Sequence, residues 1–158
     1  MEESNKAVVF QVGKEEYAIS IQHVISIEKM EGITPIPHLP IYVNGIFKVR
    51  GELMPVIDFE QVLYNRPTER TEATKIIVLQ TDELSIGIVV TDAKEIISIP
   101  QENIKQIGLV AYKNTAYITG IANLESRLIT IIDPSRLVRG LDGIKQIREY
   151  MEEQKNPQ

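Results

Sequence analysis

The sequence contains no cysteine and no tryptophan, and only 6% of its residues are aromatic. Without cysteine there is no disulfide framework, no thiolate metal site and no thiol nucleophile. Positive charge is also short: 17 Lys and Arg stand against 22 Asp and Glu, a formal net charge of −5, with no basic run. A chain of that sign lacks the field that supplies most of the attraction to a phosphate backbone, so nucleic acid is not expected as a partner. No apolar run approaches the ~20 residues of a membrane-spanning helix. The longest, such as Ile86–Val90, are of strand length, and direct membrane insertion is not expected. Met1–Ala7 carries Glu2 and Glu3 and no apolar stretch, so no signal peptide is expected either. These absences are compatible with a reducing, cytoplasmic setting.

What remains is aliphatic. Of 158 residues, 43% are apolar, enough for one domain or two small lobes that share a core. With so few aromatics that core is built from Ile, Val and Leu, and β-branched side chains favour strands. Strand-like runs dominate accordingly. AVVFQV (Ala7–Val12) and YAISI (Tyr17–Ile21) flank a turn at Gly13, and VISIE (Val24–Glu28) follows. Pro35, Pro37 and Pro40 then mark an extended connector, because proline lacks a backbone donor. GIFKVRG (Gly45–Gly51) and ELMPVID (Glu52–Asp58) read as a hairpin, and FEQVL (Phe59–Leu63) has helical spacing. After the polar stretch Asn65–Thr74 the strands resume as KIIVLQ, LSIGIVV and KEIISI; a second hairpin spans Tyr117–Asp133, and PSRLV is a short helix. The tail carries Ile144, Ile147, Tyr150 and Met151 on one helical stripe.

The two halves repeat. NGIFKVRGELMPVIDFEQVL, from Asn44, aligns without gaps on TGIANLESRLITIIDPSRLV, from Thr119. Gly45 meets Gly120, Ile46 meets Ile121, Leu53 meets Leu128, Ile57 meets Ile132 and Asp58 meets Asp133. AVVFQVGKEEYAISI resembles KIIVLQTDELSIGIVV more loosely, and VISIE resembles EIISIP. A period of about 75 residues is too long for a solenoid and suits two copies of a small β unit. Neither copy buries enough surface to stand alone, so the two are expected to pack together and leave a groove between them.

Candidate chemistry is thin. Asp58 and Asp133 are an obvious acid pair, but each ends an apolar strand and precedes a helix, with Pro134 at a first helical position; capping is the better reading. His23 and His38 have no ligand spacing, no serine sits in a GxSxG context, and no nucleotide-binding or HExxH motif occurs. No enzyme activity, cofactor or metal is expected. Arg50 differs: it stands beside Gly51 at a strand end, where the repeat has Glu125, and a residue that departs from its copy suits a contact of one lobe only or, equally, an ordinary solvated charge. Ile76, Ile77 and Val78 alternate poorly, which fits a strand buried on both faces better than one covered by a partner. The C-terminal stripe is expected to pack on its own domain.

At GIFKVRGELMPVIDF the chain resembles the CheW family of chemotaxis coupling proteins, whose hallmark is close to G-[VI]-x-N-[LV]-R-G-x-x-x-P-[VI]-x-D-L. Gly45, Ile46, Val49, Arg50, Gly51, Pro55, Val56 and Asp58 match; Lys48 stands for the usual Asn, Phe59 for Leu, and Thr91 where Asp commonly follows the central apolar run. The similarity extends over Val8–Val138. It implies a mainly β fold: two intertwined SH3-like small β-barrel subdomains packed together around an apolar groove, with short helices. Residues 1–158 are then one domain, with subdomain 1 near 16–68, subdomain 2 near 7–15 plus 72–139, and a C-terminal helix near 141–154. It implies a non-enzymatic adaptor, cytoplasmic at membrane-associated receptor arrays, that joins the helical hairpin tip of a chemoreceptor to the regulatory domain of the histidine kinase CheA. Carried over by position, the implied partner-binding residues are Ile21, Val24 and Ser26 on one strand, Gly45 and Arg50 in the hallmark hairpin, and Ile76, Ile77 and Gly87 bordering the groove. Alternatives are a coupling module of another chemosensory-like pathway, an enzyme using Asp58 or Asp133, and a nucleic-acid-binding β-barrel. The related CheV type carries a receiver domain after the coupling domain, and with about 20 residues following Val138 that type is not expected.

Overall fold

The computed structural model describes residues 6–82, 84–106 and 117–155. Among them the order is β1 Lys6–Val12, β2 Glu15–Ser20, β3 Val24–Lys29, β4 Val43–Val49, β5 Glu52–Asp58, α1 Phe59–Tyr64, β6 Lys75–Leu79, β7 Ile86–Val90, β8 Asp92–Ser98, β9 Ile104–Gln106, β10 Ile118–Leu124, β11 Arg127–Ile132, α2 Pro134–Arg139 and α3 Ile144–Lys155. Of the N-terminal stretch read as lacking a signal peptide, only Lys6 and Ala7 fall among the described residues.

The strands form two sheets, β8-β1-β2-β11-β10-β9 and β3-β6-β7-β5-β4. The fold is mainly β, with two β lobes packed together, and the repeat organises both. The first sheet is lobe A and the second lobe B. Exchanging each strand for its repeat mate turns one order into the other, apart from the added β9. The registers follow the same exchange. In lobe B, β5 runs parallel to β7 with Val56 opposite Gly87; in lobe A, β11 runs parallel to β2 with Ile131 opposite Ala18. The irregularity at Val43/Gly45 between β4 and β5 recurs at Ile118/Gly120 between β10 and β11.

Each lobe takes its central hairpin from the other half of the sequence. β1–β2 lies in lobe A with the second copy's β8, β10 and β11, while β6–β7 lies in lobe B with the first copy's β3, β4 and β5. The subdomain bounds read from the sequence therefore do not coincide with the sheets. Residues 16–20 belong with lobe A, and the whole β6–β7 hairpin belongs with lobe B. The physical reason is visible in the hairpins, which are apolar on both faces. On β1, Val8, Phe10 and Val12 enter the core shared by the lobes, while Ala7 and Val9 fill lobe A. On β6, Ile77 and Leu79 enter the shared core, while Ile76 and Val78 fill lobe B. Such strands need cover on both sides, and a seat between two lobes supplies it.

The helices close the ends of the shared core. Asp58 caps α1 by accepting the Gln61 N–H at 3.2 Å, and Asp133 caps α2 by accepting the Ser135 N–H at 2.9 Å and the Arg136 N–H at 3.3 Å. The amide of each aspartate donates to a tyrosine carbonyl, Tyr42 and Tyr117 respectively. The apolar stripe of α3 packs on its own chain: Ile147 and Met151 are buried in the shared core, with Ile144 and Tyr150 against it.

A candidate protein-docking interface

The two ends of the lobe B sheet, β3 and β4, are not hydrogen-bonded to each other. Between them lies an open depression of about 780 Å³. Ile27, Glu28 and Lys29 form one wall, Phe47, Lys48, Val49 and Arg50 the other, and Glu31 and Gly32 the end. Phe47 and Val49 point into the lobe core, whereas Lys48 and Arg50 are exposed, as alternation along a strand requires. Ile27, on the opposite wall, is 42% exposed, an apolar side chain left without cover. The segment after β3 is pinned across one end of the cleft, where Thr34 and Ile46 exchange two backbone hydrogen bonds of 2.8 and 2.9 Å.

Arg50 is set by the turn that carries it. Val49 pairs with Glu52, so Arg50 and Gly51 form a two-residue loop with φ of 53° and 83°. Positive φ at both positions matches the twist of the flanking strands, and Gly51 adopts it without strain. The Arg50 guanidinium has no hydrogen-bond or ion-pair partner among the described residues. Other arginines are engaged: Arg127 holds Glu16 and Glu95, Arg139 holds Asp82, and Arg66 holds Glu60. Glu125, the repeat mate of Arg50, occupies the equivalent turn with φ of 52°. The two hairpin tips thus present opposite charges at a residue of positive φ, but only the first has positive φ at the next position, Gly51.

The other residues singled out in the sequence fall in different places. Ile21 opens a 3-10 turn between β2 and β3 and is not on a strand; it is half-buried. Val24 begins β3 opposite Leu79 and packs against the shared core. Ser26 lies opposite Val78, and its hydroxyl is buried with no hydrogen-bond partner among the described residues. Gly45 is buried on β4 with φ of 151°, and a Cβ there would stand 2.2 Å from the Thr34 carbonyl oxygen. Ile76 and Ile77 have no exposed surface, and Gly87 is buried against Ile76 and Phe47; a Cβ on Gly87 would meet Ile76 at 2.7 Å and Phe47 at 3.3 Å. These three fill the interior and border no open groove. Only Arg50 of the eight lines the depression; Val24 and Ser26 lie earlier on β3, whose later residues Ile27–Lys29 form one wall. Ile27, Glu28, Lys29 and Lys48 were missed, because the cleft joins two strand edges that lie far apart in sequence.

The expected groove between the lobes is mostly filled by the shared core. Shallow openings lie instead between lobe B and α3: about 240 Å³ beside Gly51, Glu52, Leu53, Met151 and Gln154, and about 170 Å³ reaching Pro55 and Leu84. Among the described residues, no group of three or more His, Cys, Asp and Glu is placed to hold a metal ion. No helix of the described residues is long and apolar enough to cross a membrane. Asp58 is taken up as a cap and as acceptor of the Thr68 N–H at 2.9 Å and the Thr68 hydroxyl at 2.6 Å.

The CheW-like domain family matches residues 6–142. The chain belongs to the CheW family. Chemotaxis protein CheW of Bacillus subtilis is 34% identical over 134 residues, covering 84% of this chain and 86% of that protein. Chemotaxis protein CheW of Klebsiella aerogenes is 30% identical over 132 residues, covering 83% and 80%. Among solved structures, the scaffolding protein TtCheW of Thermoanaerobacter tengcongensis superposes with a TM-score of 0.75 at 29% identity, covering 85% of this chain and 88% of that one. Within this CheW-like chain one wall of the depression belongs to the hallmark hairpin, through its matching residues Val49 and Arg50.

Proposed function

We propose that this CheW-family chain is a non-enzymatic scaffold that holds the cytoplasmic hairpin tip of a chemoreceptor against the regulatory domain of the histidine kinase CheA, in cytoplasmic arrays beneath the membrane. The observation that carries the reading is the family match over residues 6–142. The geometry is in keeping with it. The lobes interlock through exchanged hairpins, and an unpartnered cation, Arg50, stands at the rim of an apolar-floored cleft. Val24, Ser26 and Arg50 are assigned to the docking face of lobe B, and Ile21 and Gly45 to its support. The two aspartates that an enzyme would use are engaged as helix caps.

Burial of Ile27 and the apolar floor supplies attraction, at roughly 25 cal/mol per Å² before ordering costs. Arg50 fixes register through charge-assisted hydrogen bonds. Contacts that are weak singly become firm in an array by effective concentration, and signalling is a bias on kinase conformations. The test is reconstitution of kinase with receptor-bearing membranes. The wild-type chain is expected to raise receptor-controlled kinase activity, and Arg50→Glu to lower it at least tenfold while its melting temperature stays within about 3 °C, as for a surface change. Arg50→Glu coupling as well as wild type would remove Arg50 from the interface. A wild-type chain that captures neither partner would end the scaffold reading.

A further inference from the structure

The depression between β3 and β4 is bounded by strand edges, and the pseudo-equivalent place in lobe A shows what fills such an edge. There β9 lies antiparallel on the outer side of β10, with Lys105 opposite Ile121 and Ile104 opposite Ala122. Beyond β9 the side-chain amide of Asn103 donates to the Asn123 carbonyl at 3.0 Å. The outer edge of β10 is thereby satisfied as far as Asn123. In lobe B the same edge is covered, among the described residues, only at Ile46, by the bridge to Thr34. The N–H and C=O of Ile46 face away from β5 to make that bridge. Lys48 lies two residues further on, so its N–H and C=O face the same way, into the depression. Lys48 is the repeat mate of Asn123, yet no group among the described residues meets its backbone on this side.

We propose that the cleft between β3 and β4 takes an extended, acidic segment of a partner protein as an added strand antiparallel to β4. An exposed edge is a template for such pairing. The orientation is that of β9 on β10. The side chains of the guest alternate: those facing inward meet Phe47 and Val49 and are apolar, while those facing outward stand beside Lys48 and Arg50 and are carboxylates. The β3 wall carries one charge of each sign, Glu28 and Lys29, and Glu31 stands at the end, so the acidic positions lie toward the two cations of the β4 side. The inference rests on reading this cleft as the docking face, and it names the conformation and chemistry of what docks.

The probe is a synthetic hexapeptide alternating glutamate and valine, added to the full chain. Binding is expected to slow hydrogen exchange of the Lys48 amide at least tenfold, and that of the already bonded Ile46 amide less than twofold. Lys48→Pro removes the donor at an edge position and is expected to weaken the peptide at least tenfold, whereas Lys48→Ala, which keeps the amide, weakens it threefold or less. If Lys48→Pro does not fold, the exchange measurement on wild type and Lys48→Ala decides. No binding of the peptide, unchanged exchange at Lys48 with peptide bound, or tighter binding of a helix-stapled peptide of the same composition would each overturn strand addition. Kinase coupling by the wild-type chain, measured in the same preparation, stands or falls separately, so failure here is not failure of the scaffold reading.

Discussion

Gly45 matches the family hallmark, yet its surroundings give it an architectural task that a mutation can measure. Its φ is 151°, and a Cβ built on it would stand 2.2 Å from the Thr34 oxygen, 2.7 Å from the Thr34 carbonyl carbon and 2.9 Å from a methyl of Ile33. Backbone cannot swing aside as the end of a long side chain can. Gly45→Ala must therefore push the Ile33–Thr34 segment off β4 and break the two hydrogen bonds between Thr34 and Ile46. Strained φ costs about 1–3 kcal/mol and each lost bond about 1 kcal/mol, giving a loss of about 3–5 kcal/mol. Gly51→Ala is the control: φ is 83°, but nothing lies within 4 Å of the added carbon, so only the conformational cost of about 1 kcal/mol remains. With a urea dependence of about 2 kcal/mol per molar, the midpoint should fall by about 1.5–2.5 M for Gly45→Ala and about 0.5 M for Gly51→Ala, at unchanged slope. Equal shifts in the two variants would refute the argument, because then the close approach of Thr34 would contribute nothing.

The two repeat aspartates should differ in weight. Asp58 is buried and accepts bonds from the Gln61 N–H, the Thr68 N–H and the Thr68 hydroxyl, so Asp58→Ala is expected to cost about 3 kcal/mol; Asp133→Ala loses a half-exposed cap worth about 1 kcal/mol, and matched urea titrations check the order. The Tyr42 hydroxyl donates to the Asp142 carbonyl, and burial, aided by the Asp142 charge, pushes its pKa from 10.0 up to about 12. Folding therefore disfavours the phenolate: the contribution of Tyr42 is intact below pH 10 and is lost as pH rises from 10 to 12. Wild type should lose more melting temperature over that window than Tyr42→Phe, and parallel losses would refute the assignment. Tyr17 and Tyr117 are raised by burial as well and remain in both proteins, so the difference isolates Tyr42.

The repeat was legible because glycines, strand-end aspartates and hairpin alternation recur in step, and each marks a backbone event. Gly45 and Gly120 sit beside the same irregularity in register, and Asp58 and Asp133 cap equivalent helices. The exchange of hairpins was not legible from the repeat itself. β1–β2 and β6–β7 are apolar on both faces, so either lobe accepts either hairpin by pattern alone. Size decides: in lobe B, Gly87 leaves room for Phe47, whereas Ala18 and Ala122 share the equivalent space in lobe A. The site was half legible. Arg50 drew attention by differing from Glu125, and it does line the depression. Ile76 and Ile77 drew attention by failing to alternate, and burial on both faces is the whole reason. Ile27 carries no mark in sequence and Lys48 only that of a departure from the hallmark, since their place at a cleft arises only when β3 and β4 become the two free edges of one sheet.

Exchange of the hairpins bears directly on how a scaffold works. Two barrels joined by a linker would be expected to move relative to each other unless their interface were large and apolar. Here each sheet is completed through a parallel pairing to the other copy's hairpin, β5 with β7 and β2 with β11. Separating the lobes would pull Val8, Phe10, Ile77, Leu79 and Ile88 out of one common core. A partner seated on the β3–β4 edge of lobe B is then held in fixed relation to lobe A by the strands themselves. A ligand can shift a conformational equilibrium only by its differential contacts with the competing states. A rigid bridge passes those contacts on, where a hinged one would dissipate them as motion of its own.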